Sequence, residues 1–138
     1  MAKKPEALSG PLKILLIEDD PDDIDLFEYA FRVNELLCDV VILEEGDQVL
    51  PYLTKSNKRP DVVVLDLNLP KVHGRDILKQ IKSDEELQAI PVVILTTSSE
   101  QEDKEYCKKA GAADFLTKPT DLEGFKTMVS TIARVVTA

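Results

Sequence analysis

Cysteine and histidine are scarce in this chain of 138 residues, which has two of the first and one of the second. Cys38 and Cys107 stand alone, without CxxC spacing or a histidine cluster nearby, so they read as free thiols of a reducing compartment. His73, lacking a second histidine, reads as a loop residue rather than a metal ligand. Long apolar runs are missing too. None approaches the length that spans a bilayer, and the opening "MAKKPEALSGP" has no apolar signal core. Lysine and arginine number 17 against 26 acidic residues, a formal charge of −9, which argues against a nucleic-acid-binding surface. These absences leave a soluble cytoplasmic domain as the economical expectation, with neither membrane nor nucleic acid as partner.

What is there is ordinary globular composition, 43% hydrophobic and 31% charged, in a length that suits one domain. Residues 1–11, charged and carrying Pro5, Gly10 and Pro11, read as a flexible leader before a domain over 12–138. "LKILLI" (12–17) is a buried-strand pattern ending in Glu18, Asp19 and Asp20. Pro21 opens a helix that Asp20 can cap, with Asp22 and Asp23 at its positive end. That helix is expected to reach about Leu37, burying Leu26, Ala30, Val33 and Leu37. Further strands read at 39–43, 61–66, 91–96 and 113–117, with helices at about 46–55, 74–82, 100–110 and 122–136. Five alternating strand–helix units imply an α/β fold with an open, doubly wound parallel sheet.

One strand poses a question. "DVVVLD" is continuously apolar and then ends in a carboxylate, Asp66, which is costly to bury without company. Company is available, because such sheets bind ligands beyond the carboxyl ends of their strands. Those ends carry Glu18, Asp19 and Asp20; Asp66; Thr96; and Thr117, Lys118 and Pro119. Neighbouring strands lie about 5 Å apart, so their carboxylates can share a ligand. Crowded acids need a counter-charge, and an all-oxygen site suits Mg²⁺. Lys118 adds an ammonium and Thr96 a hydroxyl. That is equipment for phosphoryl transfer, with Asp66 as the candidate nucleophile.

The chain resembles the receiver domains of two-component response regulators from about Leu12 to Val136. The likeness rests on "ILLIEDDP", "VVVLDLNLPKVHG", "VVILTTS" and "ADFLTKP", in that order. The wording "LDLNLPKVHGRDIL" with "IPVVILTTS" also looks like the single-domain receivers that partner bacterial phytochrome kinases. The resemblance implies a flavodoxin-like strand order, 2-1-3-4-5, with five helices. It implies that Asp66 accepts a phosphoryl group from a histidine kinase. Asp19 would coordinate Mg²⁺ directly, Glu18 through a water, and the backbone carbonyl of Asn68 would be a further ligand. Thr96 and Lys118 would bind phosphoryl oxygens, the Lys118–Pro119 bond would be cis, and Phe115 would be the switch aromatic that follows Thr96. The surface of the fourth helix, fifth strand and fifth helix would then change. Apart from this self-phosphotransfer and slow autodephosphorylation, no enzyme activity is implied. Departures from the family pattern are Thr97 after Thr96, His73 before Gly74, and a Phe without the tyrosine hydroxyl at 115.

On the assumed phase of the first helix, Ile24 and Phe31 fall outward, as a docking surface for the kinase's helical bundle or as scattered surface apolars. The chain stops soon after the last helix, so output is expected through a partner: a phosphotransfer or output protein, a homodimer, or feedback on the kinase. Two alternatives stand. A metal-dependent phosphohydrolase would also use a strand-end Asp, but commonly needs an acid where Asn68 stands. A receiver-like module that is never phosphorylated would not need the full set of Asp19, Asp66, Thr96 and Lys118.

Overall fold

The structure, a computed structural model, describes residues 10–55 and 59–137. Residues 1–9 of the expected leader lie outside the described residues. The elements run β1 (Leu12–Ile17), α1 (Pro21–Val33), β2 (Cys38–Leu43), a 3-10 turn (Gly46–Gln48) leading into α2 (Val49–Lys55), β3 (Val62–Leu65), α3 (Gly74–Ser83), β4 (Val92–Thr96), α4 (Gln101–Ala110), β5 (Asp114–Thr117) and α5 (Leu122–Thr137). The strands form one parallel sheet in the order β2-β1-β3-β4-β5, as expected.

Strand alternation sorts the core into two layers. Leu15, Ile17, Val63, Leu65, Val92 and Ile94 pack with Leu53, Ile77, Leu78, Ile81 and Cys107 on the side of α2, α3 and α4. Leu12, Ile14, Leu16, Val62, Val64, Val93 and Leu95 pack with α1 and α5 on the other side. The unbroken apolar run of β3 follows, since all four of its residues are buried, two against each layer. Each such side chain contributes roughly 1.5–3 kcal/mol by leaving water.

The first helix differs from expectation in phase and length. Its buried stripe is Ile24, Phe27, Ala30 and Phe31, whereas Leu26 and Val33 are about half exposed. Apolar residues occupy seven of its positions, 24, 26, 27, 29, 30, 31 and 33, so two stripes meet the helical period. Packing selects the one whose aromatic pair, Phe27 and Phe31, stacks at 5.0 Å between ring centroids against the sheet. The helix stops at Val33 because Asn34 turns its side-chain amide onto the Ala30 carbonyl at 2.7 Å and Glu35 takes a left-handed φ of 56°. Leu37 is therefore outside the helix and exposed.

Candidate functional site

The side chains of interest sit just past the strands, held there by backbone bonds that carry the ladders onward. The Glu18 amide donates to the Leu43 carbonyl at 3.0 Å, and the Asp66 amide to the Ile17 carbonyl at 3.1 Å. At the other side, the Lys118 amide donates to the Thr96 carbonyl at 2.8 Å. Three chain ends are thereby fixed on one edge by rigid sheet rather than by loops.

The start of α3 closes on the same spot. The Gly74 amide donates to the Leu67 carbonyl at 2.9 Å, and a Cβ on Gly74 would lie 2.5 Å from the Asp66 carbonyl oxygen. Only glycine lets the helix approach the Asp66 backbone so closely. His73, the departure beside it, is the N-cap of α3: its Nδ1 accepts from the Arg75 amide at 3.1 Å. A ring nitrogen here does the work that a capping carboxylate usually does.

Lys118 is the centre of the charge pattern. Its Nζ lies 2.6 Å from Glu18 Oε1, 2.8 Å from Asp23 Oδ2 and 3.0 Å from Asp66 Oδ2. Burial pulls the ammonium's pKa down, but hydrogen bonds to Asp23, Glu18 and Asp66 outweigh it, and the pKa rises above the ordinary lysine range. Asp66 is 5% exposed, and its other oxygen, Oδ1, accepts from the Asn68 amide at 3.2 Å. Glu18 is also buried, with Oε2 accepting from the amides of Asp19 and Asp20 at 3.1 and 3.2 Å. Burial lifts the Glu18 pKa to about 7, opposed by the Lys118 hydrogen bond and reinforced by the Asp66 charge.

Carboxylate oxygens of Glu18, Asp19 and Asp66 lie within 4.8 Å of one another. Glu18 and Asp66 of this cluster, together with Asp23 outside it, set three carboxylates around one ammonium. The donor set is all oxygen, free of thiolate and imidazole, and carries surplus negative charge; it fits a hard divalent cation.

The remaining expected residues divide. Thr96 is fully buried at the end of β4, and its Oγ1 accepts from the Ser98 amide at 3.4 Å. Thr97 is exposed. Phe115, in β5, is partly buried against the layer of α3 and α4. Asp20 caps α1 as expected, its Oδ1 accepting from the amides of Asp22 and Asp23 at 2.9 and 3.4 Å.

Two expectations are corrected. The Lys118–Pro119 bond is not cis, since no cis peptide bond occurs among the described residues. The trans form of an X–Pro bond is favoured by about 0.5–1 kcal/mol, and from it Lys118 already reaches three carboxylates. Ile24 and Phe31 are no docking surface, being 8% and 0% exposed beneath α1. The residue that sequence reasoning missed is Asp23, read only as a dipole partner. The available signal was that α1 starts directly after β1, so its first-turn acids overhang the edge where Lys118 ends.

The model of the response regulator receiver domain matches residues 14–130. Among curated proteins, the chain is 34% identical to the response regulator Rcp1 of Synechocystis sp. over 127 residues, 88% of this chain and 86% of Rcp1. It is 32% identical to the protein PilH of Pseudomonas aeruginosa, over 90% of this chain and 97% of PilH. Among solved structures, the phosphorylated cyanobacterial phytochrome response regulator RcpA superposes with a TM-score of 0.83 at 34% identity, covering 94% of this chain and 96% of RcpA. The Mn²⁺-bound form of Rcp1 superposes with a TM-score of 0.78 at 34% identity, covering 88% of this chain and 91% of that one. A carboxylate-lined edge, an ammonium on the strand-end aspartate, and these likenesses agree: the chain belongs to the response regulator receiver domain family.

Proposed function

We propose that Asp66 accepts a phosphoryl group from the phosphohistidine of a sensor histidine kinase, in a reaction that requires Mg²⁺. The observation that carries this reading is the Lys118 ammonium 3.0 Å from Asp66 Oδ2, at an aspartate that also belongs to the cluster with Glu18 and Asp19. An Asp66 oxygen attacks phosphorus; the new P–O bond forms as the P–N bond breaks, and its electron pair returns to the imidazole. Lys118 neutralises charge on the phosphoryl oxygens, and the buried Thr96 hydroxyl donates to one of them. Asp19, Asp66 and the Asn68 carbonyl would hold Mg²⁺, with Glu18 acting through a water; the bound ion would supply further neutralising charge. Water later hydrolyses the acyl phosphate, so turnover is limited to the protein's own modification.

Phosphorylation then biases a two-state element. Thr96 turns toward the new charge, and the segment after β4 follows, because Ser98 Oγ donates to Asp103 Oδ2 of α4 at 2.8 Å. Phe115 changes its burial, and the surface of α4, β5 and α5 presents the signal to a partner, either a phosphotransfer or output protein or a second copy. The likeness to RcpA and Rcp1 supports a phytochrome as the kinase.

The exposed apolar residues of α1 suit the kinase's helical bundle. Leu26, Tyr29 and Val33 are 45%, 47% and 48% exposed at helical spacing, and Leu26 lines a cleft shared with Lys118 and Pro119. Leu26→Lys with Val33→Lys is expected to slow transfer from the kinase while leaving uptake from acetyl phosphate unchanged. Equal rates from the kinase would move docking elsewhere.

The deciding experiment is uptake of phosphate from acetyl phosphate with Mg²⁺. Wild-type protein is expected to form a hydroxylamine-labile phosphoprotein and Asp66→Asn none. Unlabelled wild type, or equal labelling of the asparagine variant, overturns the reading.

A further inference from the structure

The ammonium of Lys118 has three protons and meets three carboxylates, of which two have other work. Glu18 and Asp66 belong to the carboxylate cluster that fits a cation, whereas Asp23 does not. Asp23 sits on the first turn of α1, held by the Asp20 cap and by Pro21 at the helix start. Its carboxylate is 31% exposed, and its 2.8 Å bond spans 95 positions of chain to Lys118. Helix and sheet edge meet in that bond.

We propose that Asp23 is a positioning residue for phosphoryl transfer, tethering the Lys118 ammonium beside Asp66. When Glu18 and Asp66 turn to a cation and a phosphoryl group, Asp23 is the partner that Lys118 keeps. A flexible four-carbon stem needs such an anchor, since a lysine ammonium has no built-in orientation. The proposal rests on the phosphotransfer reading, but one of its two tests does not.

The first test is exchange of the Lys118 ammonium protons with water, followed by NMR in the unphosphorylated protein. Asp23→Asn is expected to speed exchange several-fold, and Asp23→Glu to slow it again. The second is uptake from acetyl phosphate at saturating Mg²⁺. Here Asp23→Asn is expected to lower the maximal rate about tenfold, the order a charge-assisted hydrogen bond carries. The half-saturating Mg²⁺ concentration should move by less than about twofold, because Asp23 lies outside the cation cluster. In a Lys118→Ala background the same substitution should cost less than about twofold, as expected of residues that act as one unit. Wild-type ammonium exchange and uptake in Asp23→Asn overturn the proposal. So does a full tenfold loss that persists without Lys118. Exchange needs no phosphoryl transfer, so failure of the phosphotransfer reading and failure of the tether are separately visible.

Discussion

Leu65 and Asp66 are sequence neighbours of nearly equal burial, 0% and 5% exposed, yet they belong to regions built on opposite rules. Leu65 lies in the sheet interior, surrounded by Ile17, Ile94 and Ile77, where any apolar side chain of similar volume serves. Asp66 lies on the carboxyl edge, where its two oxygens are assigned separately, one to the Lys118 ammonium and one to the Asn68 amide. Interior positions tolerate exchange of identity and resist loss of volume. Edge positions tolerate little exchange of charge, because each carboxylate's energy depends on the others. The contrast teaches that stability and chemistry are stored one residue apart.

Substitutions on either side of that boundary sharpen the contrast. Leu65→Ala is expected to have the largest effect on folding, about 3 kcal/mol lost in urea denaturation. Asp66→Asn should abolish phosphoryl uptake and move stability by no more than about 1 kcal/mol, because weaker pairing with Lys118 is offset by removal of a charge that adds to burial in raising Glu18. Equal destabilisation by the two would erase the boundary.

Gly74→Ala tests where the regions touch. Its Cβ would meet the Asp66 carbonyl oxygen and Leu67 Cα at 2.5 and 2.6 Å, and neither is a flexible side-chain tip. A loss of about 2 kcal/mol in denaturation is expected, together with slower uptake from acetyl phosphate. A variant that is destabilised yet fully active would show that the close approach serves packing alone.

The pH dependence reports the edge. Glu18 has its pKa raised from 4.5 to about 7, so the folded state holds its proton more tightly than the unfolded chain does. Its contribution to stability is therefore full below about 4.5 and lost as pH rises through about 7. Cation binding runs the other way, because it needs the carboxylate: Mg²⁺ affinity should fall up to about tenfold per unit of pH below about 7. Glu18→Gln should flatten both profiles in denaturation and in metal titration. The smallest effect belongs to His73→Ala, which removes the α3 cap and should cost about 1 kcal/mol of thermal stability; His73→Asp should restore it.

Much of the fold was legible because its signals are local. Buried strands announce themselves by apolar runs such as "LKILLI" and "VVILT", and the Asp20–Pro21 start of α1 is written in adjacent residues. The candidate site was legible for the same reason, since Glu18, Asp66, Thr96 and Lys118 each stand at a strand end or just beyond it. The phase of α1 was not. With seven apolar positions in thirteen residues, the period alone admits Leu26, Ala30 and Val33 as readily as Ile24, Phe27, Ala30 and Phe31. Asp23 escaped as well, because a first-turn aspartate looks alike whether it only faces the helix dipole or also binds a distant lysine.

What the residues determine unaided is the βα alternation and hence a parallel sheet with its strand-end acids, threonine and lysine on one edge, because strand and helix patterns act over a few neighbours. What tertiary structure alone decided is which stripe of α1 meets the sheet, and that Asp23 joins Glu18 and Asp66 on Lys118. Burial and ion pairing are properties of what lies across a contact, and here the partners lie as far as 95 positions away along the chain.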